Sequence, residues 1–302
     1  MKRKIVQLAA ATKVVSLPAK WLRSHNIKKG DEIDMQILED RILINSKRHL
    51  ISKKTIIDIS NLNRDLTWRY LGSAYMRGVD EIEIKCNEGQ KKLISKIVKT
   101  FIGFIILNED KNKILIKDTA ATLDVEFEAI LRRAYRMIRN LLDHIIDNYD
   151  NQNYEQLLKS KRMDNDISDH ILYCLRILNK KGYDATAKTI ELHNTLRMLE
   201  LLSDKFADVG MSLGEGKIKK ENNIKKLIKD LISLYDDFYI TFYNYNQDKI
   251  INLSNIQNNL IKKTDELIKN SNYKKIILLQ NIRESASLLF NLIEIQIALN
   301  VA

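Results

Sequence analysis

One proline and nine glycines in 302 residues leave little material for tight turns. That scarcity disfavours a loop-rich β protein and favours long helices over most of the length. Cysteine is as sparse: Cys86 and Cys174 stand far apart in no spacing motif, which excludes a disulfide framework or a cysteine metal pattern and points to a reducing cytoplasm. Long apolar runs are missing too. The greasiest stretch, Phe101 to Leu107, falls far short of a membrane span, and the apolar run behind the basic N-terminus is too short and interrupted for a signal peptide. The expectation is a cytoplasmic protein with no membrane span. Five histidines (His25, His49, His144, His170, His193) include no H-x-x-x-H pair. No glycine-rich phosphate loop is present, and no nucleophile, base and oxyanion donors converge in a recognisable motif, so an enzyme is not expected.

Acid is absent altogether from residues 1–30, which hold Lys2, Arg3, Lys4, Lys13, Lys20, Arg23, Lys28 and Lys29. The rest of the chain has 42 basic against 39 acidic residues, so most of the net charge of +11 sits in one small module. A phosphate backbone is the obvious target of such a field. Apolar residues there alternate as in strands: Val6 with Leu8, Val14 and Val15 on opposite faces, then Ile33, Met35 and Ile37 between Glu32, Asp34 and Gln36, followed by Ile42 and Ile44. Two short hairpins result. Between them Pro18 opens a short helix carrying Trp21 and Leu22, Asn26 can end it in a left-handed conformation, and Lys28-Lys29-Gly30-Asp31 supplies a turn. Strands this short cannot bury a core alone, so a homodimer is expected.

Strand, loop, strand, SLP-x-x-W-L, short helix, I-K-K-G-D and a closing hairpin resemble the AbrB/SpoVT-type swapped-hairpin DNA-binding domain over about residues 2 to 46. The resemblance implies a β-barrel head at 1–48 that binds DNA through Lys2, Arg3, Lys4, Thr12, Lys13, Lys20 and Arg23. One departure is that the first loop reads Ala9-Ala10-Ala11-Thr12, where relatives carry glycine; the second hairpin turns through Glu39-Asp40, again without glycine.

From residue 50 to 118 the pattern changes to β-α-β-α-β-β: a strand at Ile56, Ile57 and Ile59, a helix from Arg64 to Arg77 closed by Gly78, a strand from Asp80 to Lys85, a helix from Lys91 to Ile102, and strands Phe104–Leu107 and Lys113–Lys117 joined by the polar stretch 108–112. This predicts a small open sheet with helices on one face, a spacer or sensor. Beyond Thr119 strand signals stop. Ala134, Ile138, Leu141, Leu142, Ile145 and Ile146 fall at helical spacing, and polar breaks divide the remainder into six helices of roughly 25 to 30 residues. Gly210 to Gly216 reads as a linker between two three-helix bundles, at 120–210 and 216–302. The fold class expected is multidomain α+β in front and all-α behind.

The stretch Leu196-Arg197-Met198-Leu199-Glu200-Leu201-Leu202-Ser203-Asp204 resembles the L-E-R-I-x-D-H signature of PhoU-like proteins, whose fold is a tandem pair of three-helix bundles. With the head, the layout is similar to archaeal PhoU-related regulators. Glu200 and Asp204 lie at i and i+4 on one helical face, as two oxygen ligands of a metal must. The resemblance implies a divalent or iron-type metal at Glu200, Asp204, Asp164 and Asp166. Ser168, Ser287 and Asn291 stand where relatives carry carboxylates, so at most one weak site, in the first bundle, is expected. Arg132, Arg133, Arg136 and Arg139 form a basic strip read as a solvated face, and Tyr235 to Tyr245 an aromatic helix end read as packing. The leading reading is a transcriptional regulator of phosphate uptake that binds DNA through its head and receives a signal through its helices, from a phosphate-signalling protein or a metal. The alternative is an adaptor that binds a phosphate transporter or kinase, with the head serving only for dimerisation.

Overall fold

The computed structural model describes residues 1–37, 42–46, 53–119, 127–183 and 188–300, and the chain divides into two units, Met1–Lys54 and Thr55–Ala302. The Glu39-Asp40 turn and the expected boundaries at 48–50 and at 120 fall outside the described residues.

In the first unit β1 (Val6–Ala9) pairs antiparallel with β2 (Thr12–Val14), and β3 (Ile33–Ile37) pairs antiparallel with β4 (Ile42–Ser46). The glycine-free first loop closes through a register shift between Gln7 and Ala9, and the Gln7 side-chain amide donates to the carbonyls of Ala9 (2.8 Å) and Ala10 (2.9 Å). A side chain thus ties the turn that glycine would otherwise ease. Helix α1 (Ala19–Ser24) follows Pro18 and ends where Asn26 takes φ 52°, with Ile27 N–H donating to Leu22 O and Asn26 N–H to Arg23 O. These two bonds satisfy the last carbonyls of the helix in a Schellman arrangement. Gly30, at φ 93°, then turns the chain into β3, and Asp31 accepts from the Lys28 N–H.

The second unit begins with a four-stranded sheet in the order β5 (Lys54–Asp58), β6 (Glu81–Lys85), β8 (Lys113–Asp118), β7 (Phe104–Asp110). β7 and β8 run on to a tight connection at Lys111-Asn112, shorter than the polar stretch expected, because a register shift between Ile106 and Asn108 keeps the strands paired through Asp110. On one face Ile82, Ile84, Ile114 and Ile116 are fully buried. On the other Glu83 and Glu81 meet Lys113 (2.8 Å) and Lys117 (3.9 Å). Period-two alternation produces this division directly. Helix α2 (Arg64–Met76), capped by the Asn63 side chain, and α3 (Lys91–Val98) join the buried face, with Tyr75 stacked on Phe101 at 4.5 Å. Helix α3 stops at Val98 rather than Ile102: the N–H groups of Thr100 and Phe101 turn back to Ile97 and Val98 so that Phe101 can enter the core.

The helical part comprises α4 (Phe127–Asp150), the single turn α5 (Tyr154–Leu157), α6 (Ser160–Lys181), α7 (Thr189–Gly216), α8 (Asn222–Tyr243), α9 (Gln247–Ile268) and α10 (Tyr273–Asn300). Three of the long helices have 22 residues, shorter than expected. Helices α4, α6 and α7 form one three-helix set and α8, α9 and α10 another, and their apolar side chains merge into a continuous core from Leu131 to Ile293, with α7 against α10 and α4 against α8. The stretch Gly210–Gly216 is helix, not linker. A Cβ on Gly210 would lie 2.2 Å from Ser160 Oγ and 2.8 Å from its Cβ, and one on Gly214 would lie 2.9 Å from Leu158 Cδ2. Gly210 lets the start of α6, and Gly214 the α5 turn, approach the α7 backbone, and the chain turns only at Lys217, at φ 47°. Among the described residues no helix is long and apolar enough to cross a membrane.

Candidate nucleic-acid interface and charged cleft

Every residue proposed from sequence for DNA binding lies on the surface of the first unit. Lys2, Arg3 and Lys4 precede β1, Thr12 and Lys13 lie on β2, Lys20 and Arg23 lie on α1, and all are exposed. None of the six basic side chains forms an ion pair among the described residues. Their charge is therefore available to an external anion. Much of the unit's apolar surface is uncovered too: no described side chain there is fully buried, and Ile5, Leu8 and Ile37 are 72%, 72% and 82% exposed. Burying one such side chain contributes about 1.5–3 kcal/mol, so strips of this kind represent a large unused association energy.

In the second unit the acidic residues singled out from sequence take up definite partners. Asp164 on α6 is 1% exposed and accepts from Ser203 Oγ of α7 at 2.5 Å. Lys161 Nζ lies 3.0 Å from Asp164 Oδ2 and 2.5 Å from Asp204 Oδ1, so an ammonium joins the two carboxylates. Burial pushes the Asp164 carboxyl up, and Ser203 and Lys161 only partly pull it back. Burial also opposes the charge on Lys161, but hydrogen bonds to Asp204 and Asp164 outweigh it and hold the ammonium above its ordinary range. Glu200 pairs with Arg197 at 2.5 Å and is raised, chiefly by burial. Asp166 is exposed and stands apart from this set. Among the described residues no three His, Cys, Asp or Glu side chains are placed to hold a metal ion. The donor set present does not fit a bridged cluster, because Lys161 already supplies the cation between its carboxylates.

These acids form one wall of a cavity of about 730 Å³ whose other wall comes from α2 and α3, with Arg64, Trp68, Lys92 and Lys96. Asp169 also lines it, and burial, then the charge of Asp166, pushes its carboxyl up to about 7. Next to the cavity, α6 is locked to the sheet. Arg176 is fully buried and donates to the carbonyls of Tyr75 (2.9 Å) and Val79 (2.7 Å) and to the carboxylates of Asp80 (3.0 Å) and Asp118 (2.6 Å). Lys180 also reaches Asp80. Sequence reasoning missed Arg176, Lys161 and the α2–α3 wall; the one available signal was a lone arginine inside the apolar run Leu175 to Leu178.

The arginine strip divides. Arg139 pairs with Asp236 (2.6 Å) and Asp143, Arg132 lies over the Tyr243 ring (4.3 Å), and Arg133 and Arg136 stay exposed. The aromatic helix end packs around Tyr135, whose carbonyl accepts from Tyr235 Oη at 2.7 Å.

Against known families, residues 11–52 match the family described as antidote-toxin recognition MazE, bacterial antitoxin. The N-terminal module is a domain of the MazE/AbrB type. No curated protein matches the chain. Among solved structures, a structural neighbour is the phosphate transport system regulatory protein PhoU from Streptococcus pneumoniae, at 16% identity and a TM-score of 0.40, covering 58% of this chain and 96% of that one. The MazE/AbrB-type domain thus precedes an α/β sheet and a helical body.

Proposed function

We propose that the protein is a homodimeric, DNA-binding transcriptional regulator of the cytoplasm, with the helical body receiving the signal. One observation carries this: the MazE/AbrB-type domain exposes both its unbalanced cations and its apolar strips. The cations suit a phosphate backbone, whose binding releases counterions, and the strips suit a second copy that would complete the core. Phosphate status as the signal, conveyed through a phosphate-signalling protein, rests on the resemblance of the α7 sequence to PhoU-like proteins.

The test is a DNA titration of the full-length protein across salt concentrations. The expected result is an affinity that falls steeply with salt. In Lys4→Gln, Lys13→Gln the slope should flatten by roughly one unit for each phosphate that is no longer neutralised. An affinity indifferent to salt, or identical slopes for the two proteins, would favour the adaptor reading, in which the head only dimerises.

A further inference from the structure

The cavity between α2–α3 and α6–α7 contains more than the acids that drew attention to it. Its acidic wall is largely neutralised from within: Asp164 and Asp204 share Lys161, and Glu200 pairs with Arg197. The opposite wall carries a single carboxylate, Asp65, against three cations. Arg64, Lys92 and Lys96 line the cavity and form no ion pair among the described residues, and Lys92 and Lys96 lie one helical turn apart on α3, so both ammonium groups can address one anion. Beside them Trp68 lies along its own helix: a Cβ on Gly72 would meet its ring at 3.3 Å, so the absence of a side chain there lets the indole lie low on α2. Trp68 is half-buried and lines the cavity, a flat apolar surface next to three cations. Across from it Asn165, Ser168 and Asp169 offer hydrogen-bonding groups.

We propose that this cleft binds a nucleotide, with phosphates on Lys92, Lys96 and Arg64, the base against Trp68, and base or sugar hydrogen bonds to Asn165, Ser168 and Asp169. A volume of about 730 Å³ lies within the range of roughly 300–1,000 Å³ found for small-molecule sites and is far larger than a bare phosphate needs. Cations alone would satisfy any small anion. The aromatic surface and the facing donors and acceptors select one that carries a ring. The inference names a signal class for the helical body of the proposed regulator, yet its test involves no DNA, so either idea can fail without the other.

The chain has two tryptophans, Trp21 in the head and Trp68 in the cleft. Full-length protein with Trp21→Phe therefore reports on the cleft alone, and equilibrium dialysis with labelled ATP gives a second readout independent of fluorescence. ATP should change Trp68 emission saturably and be retained on dialysis, AMP should bind more weakly, and inorganic phosphate and adenosine should each produce little change. Lys92→Gln, Lys96→Gln in the same background should weaken ATP binding by at least about tenfold, the equivalent of about 1.4 kcal/mol. The proposal is overturned if ATP gives neither a saturable emission change nor retention, if the double variant binds ATP as well as its parent, or if inorganic phosphate alone reproduces the full response.

Discussion

The two units treat charge and apolar surface in opposite ways. In the head, the six cations assigned to DNA contact form no ion pair among the described residues, and apolar side chains such as Ile5, Leu8 and Ile37 are exposed. In the helical body, apolar side chains fuse into one core, and even the buried Arg176 has four acceptors. Burial on this scale makes the body self-sufficient, whereas the described residues of the head leave apolar surface and positive charge open to the second copy and the DNA proposed for it. The contrast separates stability from recognition along the chain.

The sharpest way to break that contrast is to place charge on the head's apolar strips. Leu8→Asp, Ile37→Asp should convert the proposed dimer to a monomer in light scattering while the thermal unfolding of the helices shifts little. A dimer that survives, or helices that melt with the head, would place the principal interface in the body. Arg176→Met comes next. It removes the buried cation that Asp80 and Asp118 share, and should cost about 3–5 kcal/mol in urea unfolding of the body without altering the salt slope of DNA binding. A loss below about 1 kcal/mol would mean that the sheet is held by its apolar packing alone. Gly210→Ala should cost about 1–2 kcal/mol, since overpacking against Ser160 outweighs the helix-propensity gain of about 1 kcal/mol. Adding Ser160→Gly should recover most of that loss if close approach is the cause.

The smallest effect concerns pH. Asp169 in the folded protein holds its proton to about 7, above the ordinary carboxylate value of 3.8. In that window Asp169 binds more protons in the folded state than in the unfolded one, so its contribution to stability falls as pH rises from about 4 to about 7 and is level beyond both ends. Arg64, Asp65, Lys92 and Lys96 line the same cavity from the opposite wall, Asp164 and Lys161 from the same helix, and Glu200 and Asp204 from α7; because Asp169 is only half-buried, solvent screening reduces the decline attributable to it to the order of 1 kcal/mol. Asp169→Asn should remove that part of the slope, raising the melting temperature at pH 8 but not at pH 4. An equal shift at both pH values would assign the effect to packing.

The head was legible from sequence because its determinants are local: Asn26 and Gly30 adopt the left-handed φ values their positions required, and the charge bias needs no folding to be seen. The sheet was legible through its alternating isoleucines, and the helices through their periodicity. Gly210 and Gly214 misled because glycine permits either a loop or a close approach, and only Ser160 and Leu158, far earlier in the chain, decide between them. The pairing of Asp164 and Asp204 through Lys161 was hidden for the same reason. A carboxylate spacing fixes which face of a helix is acidic but not which cation meets it, and the cationic wall facing those acids comes from helices of the sheet region.

Those two glycines also restrict how the helical body can move. Gly210 and Gly214 stand four residues apart on α7, and the side of α7 they open is the side that receives Ser160 and the Tyr154–Leu158 turn. Rotating α7 about its axis, or sliding it by one residue, would bring Val209, Met211 or Leu213 into a gap that admits no Cβ. The helix is keyed to its neighbour, as a shaft is to a hub. It has no independent freedom to turn or slip there, and a displacement applied at one end must carry the start of α6, and Lys161 with it, as a single piece.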